Sequence, residues 1–166
     1  MAAMNPEQLL KPLHWITGTW KSINATVNYP TMKSPINYKE LLSFTNFGFL
    51  LLGYSSLTWN PETKALMHVE GGHLRIAEDG CTVSLLTSQN LGICTVEDGT
   101  VKDKYMELTA SIISRSKFNK KKVCGITRCY TLNDKGQLEY KMMLQTDKVP
   151  LTDHLKVLYE KEKECK

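Results

Sequence analysis

The sequence predicts an all-β protein, an antiparallel up-and-down barrel of about ten strands with one short N-terminal helix. Three observations carry that prediction. From about Trp20 onward, short segments alternate apolar and polar residues, the period of a strand with one face buried. Turn-forming pairs interrupt those segments at fairly regular intervals, which is hairpin spacing. Gly18-Thr19-Trp20 follows the best helical stretch, placing a residue that can bend the chain before a large aromatic able to close a barrel floor.

Taken in chain order, the helix is predicted over Pro6 to Leu13, with Asn5 as N-cap and Pro6 at the first helical position. Tyr38 to Phe44, Cys81 to Leu86 and Val123 to Leu132 alternate by two and read as strands. Asn60-Pro61, Asp79-Gly80, Asp98-Gly99 and Asn133-Asp134-Lys135-Gly136 read as turns, because they supply fixed or positive φ. The longest apolar run, Phe47 to Tyr54, is broken by glycines and far too short to span a bilayer. The chain reads as one domain over residues 1–166, with a barrel from about 13 to 159. The charged tail 160–166 is expected to fray into solvent.

Composition narrows the function. Hydrophobic residues make up 42% and charged residues 23% of the 166, an ordinary globular balance. Net charge is +4, without the basic stripe and interleaved aromatics of a nucleic-acid binder. Lys117, Lys120, Lys121 and Lys122 read as a solvated loop. The five cysteines are odd in number, irregularly spaced and lack C-x-x-C, which favours free thiols in a reducing compartment over a disulfide framework. The first residues carry no basic and apolar leader. The expectation is a cytoplasmic or nuclear protein with no nucleic-acid or membrane partner.

The chemistry-bearing residues are few. Of the four histidines, none has the spacing of a helix-borne zinc site. His68 and His73 are five apart and face opposite sides of a regular strand, unless a bulge realigns them. There is no nucleophile elbow, no phosphate-cradling loop and no evident Cys/His pair, so any enzymatic chemistry belongs to a cofactor. Arg128 and Tyr130 are two apart and share a strand face. An inward Arg128 either anchors a lipid carboxylate together with Tyr130 or pairs internally with Glu40 or Glu70, and the internal pair is the favoured reading.

Several segments together resemble a known family. They are Gly18-Thr19-Trp20, Tyr29-Pro30-Thr31, Tyr38-x-Glu40 leading to Phe44, Met67 to Arg75, Ile126-Thr127-Arg128, and Pro150-Leu151-Thr152-Asp153-His154-Leu155. In this order, and over roughly Leu13 to Tyr159, they resemble nitrobindin and the nitrobindin-like C-terminal domain of the vertebrate THAP-domain protein. The resemblance implies a lipocalin-like and fatty-acid-binding-protein-like barrel of the calycin kind with ferric heme b in its mouth. It implies His154 as the proximal iron ligand, Thr31 and Lys122 as heme contacts, and Met67 and His68 near the distal side. Leu144, Leu151 and Phe44 are candidates to line the pocket. The inherited chemistry would be nitric oxide binding and isomerisation of peroxynitrite to nitrate, with no catalytic side chain beyond the heme iron and homodimer formation left open. The alternative is an intracellular carrier of fatty acid or another small hydrophobic ligand, anchored by Arg128 and Tyr130. The family opens G-x-W-x-G-x-G, whereas Ser22 and Asn24 stand at the second and third glycines here, so the first strand is expected to run differently at the heme edge.

Overall fold

Alternation between apolar and polar side chains writes eleven strands into the computed structural model, which describes residues 6–163. A one-and-a-half-turn helix α1 (Pro6–Leu10) runs into a 3-10 turn (Lys11–Leu13). The strands are β1 (Gly18–Val27), β2 (Ile36–Asn37), β3 (Lys39–Gly48), β4 (Leu51–Trp59), β5 (Leu66–Ile76) and β6 (Thr82–Gln89). They continue as β7 (Ile93–Lys102), β8 (Tyr105–Arg115), β9 (Val123–Leu132), β10 (Leu138–Thr146) and β11 (Thr152–Lys161). Setting aside β2, neighbours in sequence pair antiparallel, and β11 returns to pair with β1, so ten long strands close into a barrel. The two-residue β2 is an extra strand on the upper half of β1. Among the described residues closure leaves only the short β2 as a free edge, and closing the barrel is the usual solution for an all-β chain. The predicted Asn5 cap lies outside the described residues.

One end is plugged. Leu10, Leu13 and Ile16 are buried beside Trp20, whose indole N–H donates to the Ile16 carbonyl at 2.8 Å. Gly18 has φ of +112°, which lets the chain swing from the helical turn into β1. The Lys161 ammonium lies 5.4 Å from the Trp20 ring centre, a cation–π contact that closes the floor from outside. Glu162 adds an N–H bond to the Thr19 carbonyl at 2.8 Å. Residues 160–162 of the expected fraying tail are therefore bonded into the barrel, because β11 needs them to pair with β1.

Asp98-Gly99 is not a turn. It lies inside β7, and the reversal comes later, where Asp103 takes φ of 54°. Gly99 serves close packing instead: a Cβ there would run into the Glu107 carbonyl on β8. The other three predicted turns form. Asn60, Asp79 and Asn133 each accept two backbone N–H bonds from residues just ahead of them, and Gly80 and Gly136 supply positive φ. The apolar run Phe47 to Tyr54 folds as a hairpin, with Phe49 and Leu50 at φ of 50° and 65°.

Across the middle of the barrel runs a buried polar belt. Arg128 on β9 is fully buried and meets Glu70 on β5 at 2.5 Å and Glu97 on β7 at 2.7 Å. Its Nη1 also donates to the Tyr54 hydroxyl at 3.1 Å, and Thr95 donates to Glu97 at 2.7 Å. Burial pushes the Glu70 carboxyl up, but the guanidinium and His68 outweigh it and hold the group at about 2. On β3 the buried Glu40 carboxyl accepts from Ser56 at 2.6 Å, and burial raises its pKa. The internal salt bridge is thus present, with Glu97 as its second carboxylate and Glu40 apart from it.

Candidate functional site at the barrel mouth

The site lies at the end opposite Trp20. There the walls carry β-bulges, two of which hold predicted site residues. On β11, Met142 opposes Leu155 while Met143 opposes Asp153, which leaves His154 as the extra residue. The bulge puts Asp153 and Lys156 on one outer face, where they pair at 2.7 Å, and turns His154 inward with Leu155. On β5, Thr58 opposes His68 while Trp59 opposes Leu66, which leaves Met67 as the extra residue. Met67 is half-buried against the core beside half-buried His68, while His73 is exposed. The two predicted histidines thus do face opposite sides.

His154 is held rather than free. Its Nδ1 lies 3.0 Å from the Asn28 carbonyl oxygen. A carbonyl only accepts, so Nδ1 carries the proton and a neutral ring keeps the Nε2 lone pair open. The Tyr29 ring packs edge-on at 5.2 Å between centres, and its hydroxyl donates to the Leu144 carbonyl at 3.2 Å. Burial lowers the His154 pKa; the Asn28 bond opposes this, and the charges of Lys121 and His68 reinforce it. The imidazole is therefore neutral at pH 7, the form that ligates metal. Val27, Leu144 and Leu155 around it are half-buried and apolar. A pocket of about 190 Å³ opens beside it, lined by Thr26, Asn28, Pro35, Asp153, His154 and Lys156. Among the described residues, no group of three or more His, Cys, Asp or Glu is placed to hold a metal ion. The site offers a single nitrogen donor between half-buried apolar residues on one side and a polar pocket on the other.

The other predicted residues fall around the same mouth, with exceptions. Thr31 is exposed in the turn that closes when Met32 N–H bonds the Tyr29 carbonyl at 2.8 Å. Lys122 is exposed, and its carbonyl accepts the Asp147 N–H at 3.1 Å, tying two mouth loops together. Lys121 is the lysine whose charge reaches His154. Phe44 does not line the mouth: it is buried toward the plugged end, opposite Gly18 and against Tyr54 and Tyr130. Leu151 is an exposed rim residue. Arg128 and Tyr130 share a face as expected, but Arg128 is spent on Glu70 and Glu97, and Tyr130 stacks on Tyr140 at 4.6 Å. Ser22 and Asn24 also lie away from the mouth. Ser22 opposes Tyr159 and accepts the Glu40 N–H at 2.8 Å, with the β1 bulge directly after it.

A closed barrel, plugged at one end and carrying one oriented histidine at the other, defines the class as an up-and-down antiparallel β-barrel. The chain belongs to the family of THAP4-like, heme-binding β-barrel domains, whose model matches residues 9–161. A rat protein described as peroxynitrite isomerase THAP4 is 35% identical over 160 residues, covering 95% of this chain and 28% of its own length. The chain thus spans little more than a quarter of that relative. An Arabidopsis thaliana protein described as peroxynitrite isomerase Rv2717c is 32% identical over 152 residues, covering 90% of this chain and 87% of its own. Among solved structures, that of Rv2717c from M. tuberculosis superposes with a TM-score of 0.82 at 27% identity, covering 93% of this chain and 98% of that one.

Two site residues escaped the sequence reading. Tyr29 sits in the Tyr29-Pro30-Thr31 segment and was within reach. The Asn28 carbonyl was not, since a backbone acceptor leaves no residue-type signal.

Proposed function

We propose that this chain would hold ferric heme b through the Nε2 of His154 and that, so loaded, it isomerises peroxynitrite to nitrate and binds nitric oxide. The observation that carries the reading is the neutral, inward His154 with Nδ1 committed to Asn28 and Nε2 free. The family membership and the relatives named peroxynitrite isomerase support it. When bound, ferric iron supplies a Lewis acid for a peroxo oxygen. The chain's own residues do the rest. The Asn28 carbonyl fixes the imidazole, Val27, Leu144 and Leu155 keep water from its inner side, and Met67 with His68 faces it from β5. Thr31 and the Lys121–Lys122 segment offer a hydroxyl and ammonium groups suited to propionates. The pocket beside His154 is smaller than the ~300–1,000 Å³ usual for small-molecule sites.

Titration of the protein with hemin should give a Soret band of one-to-one stoichiometry that His154→Ala abolishes or strongly weakens. A band indifferent to that substitution removes His154 from the role. The fatty-acid reading gains no observation, because an entering carboxylate would have to displace Glu70 or Glu97 from a guanidinium that is fully buried.

A further inference from the structure

The mouth of the barrel carries an excess of positive charge that the plugged end does not share. The five connections at the mouth, residues 28–35, 60–65, 90–92, 116–122 and 147–151, hold seven lysines against two carboxylates, a net of +5. The four connections between strands at the plugged end, residues 49–50, 77–81, 103–104 and 133–137, hold four carboxylates against two lysines, a net of −2. The mouth alone therefore exceeds the whole chain's +4. Four of its lysines, Lys117, Lys120, Lys121 and Lys122, lie in one loop.

Apolar side chains sit on the same rim. Ile36, Leu66, Leu91, Phe118 and Leu151 are all exposed. Each lies in or directly beside a different mouth connection. Because the strands close in sequence order, these five positions are spread around the opening rather than gathered in one patch. Phe118 is the most exposed of these five at 81%, with the Lys117 ammonium 5.5 Å from its ring centre. Its loop is braced, not loose: Asn119 donates to the Leu91 carbonyl at 2.8 Å and the Ser116 N–H to the Gly92 carbonyl at 2.8 Å.

We propose that the barrel docks mouth-first on an anionic lipid surface, with Phe118 and its four companions entering the headgroup layer and the lysines pairing with lipid phosphates and carboxylates. The occupant follows from the pattern. A protein partner is recognised by a contiguous, packed apolar centre with charges pushed to the edge. A ring of single apolar side chains interleaved with lysines instead suits a fluid interface, which fills the spaces between them. The charge asymmetry fixes the orientation, since the excess lysines lie at the mouth. Among the described residues no helix is long and apolar enough to cross a membrane. Docked this way, the opening faces the phase into which an apolar ligand partitions. The inference does not depend on the identity of that ligand.

The test is sedimentation of the full chain, without hemin, with vesicles of phosphatidylcholine alone or mixed with phosphatidylserine. Binding is expected to the mixed vesicles, to weaken with added salt and to be much poorer on phosphatidylcholine. Phe118→Ser should weaken it about tenfold. Lys117→Gln with Lys120→Gln should weaken it about fivefold per lysine. Both sites are exposed, and unchanged thermal unfolding checks that the variants are folded. Equal binding to neutral and anionic vesicles, or variants that bind like the parent, overturns the proposal. So does capture by polyglutamate without vesicle binding, which assigns the rim to an acidic protein. A hemin titration of the same variants keeps the readings apart: lost vesicle binding with an intact Soret band concerns docking alone.

Discussion

At the scale of the residue, His154 is set up by its neighbours to stay neutral. Burial lowers its pKa first, and the nearby positive charges of Lys121 and His68 lower it further against the Asn28 bond. A proton and an iron compete for the same Nε2 lone pair. The sign follows directly: a histidine whose folded pKa lies below the ordinary 6.5 is still unprotonated when the pH falls to that value. Hemin affinity should therefore be flat through neutrality and begin to fall only below pH 6.5. Lys121→Ala removes one of the repelling charges, so its fall should begin at higher pH. Hemin titrations across pH 5–8 read both curves. A parent curve falling above 6.5, or a Lys121→Ala curve displaced toward acid, contradicts this account. The neutral-side affinity of that variant separately reports whether Lys121 also meets a propionate.

At the scale of the element, bulges and close approaches shape the wall. Gly99 is a sharp case, because a Cβ on β7 there meets the Glu107 carbonyl of β8. Backbone cannot swing aside as a side chain can, so Gly99→Ala should cost about 1–3 kcal/mol, read as a lowered urea midpoint. An unchanged midpoint would mean that the two strands separate freely at this point. The same residue shows why legibility stops where it does. Asp98-Gly99 has turn composition, and only the pairing of β7 with β8 shows that its glycine is needed for proximity. Phe49 and Leu50 make the converse case, a hairpin turn with positive φ and no turn residue at either position. Strands β3, β6 and β9 were legible because period two survives along their length. Within the site, His154 was legible from its segment, as were its approximate companions. Its inward aim was not, since it depends on a bulge that a regular alternation does not announce.

At the scale of the whole molecule, the barrel is braced by an ionic belt linking β5, β7 and β9 through Arg128. Removing one member of such a buried set leaves the others charged and unpaired, which costs about 3–5 kcal/mol. Arg128→Met should therefore lower stability by that order at neutral pH in urea unfolding. The pH dependence is the more discriminating reading. In the parent, Glu70 is held at about 2 against an ordinary 4.5. A depressed carboxyl contributes stability that is present above 4.5 and lost as pH falls toward 2, here about 3 kcal/mol. Without Arg128, burial acts on Glu70 against the smaller opposition of His68 alone and raises its folded pKa above that of the unfolded chain. The folded state then takes up protons that the unfolded chain still releases, so acidification from pH 7 toward 5 stabilises the variant. Parent and variant urea midpoints should converge as pH falls, with the variant rising first and the parent falling below 4.5. Parallel curves would show that the carboxylates of the belt are solvated in some other way, and that Arg128 braces the barrel by packing rather than by charge.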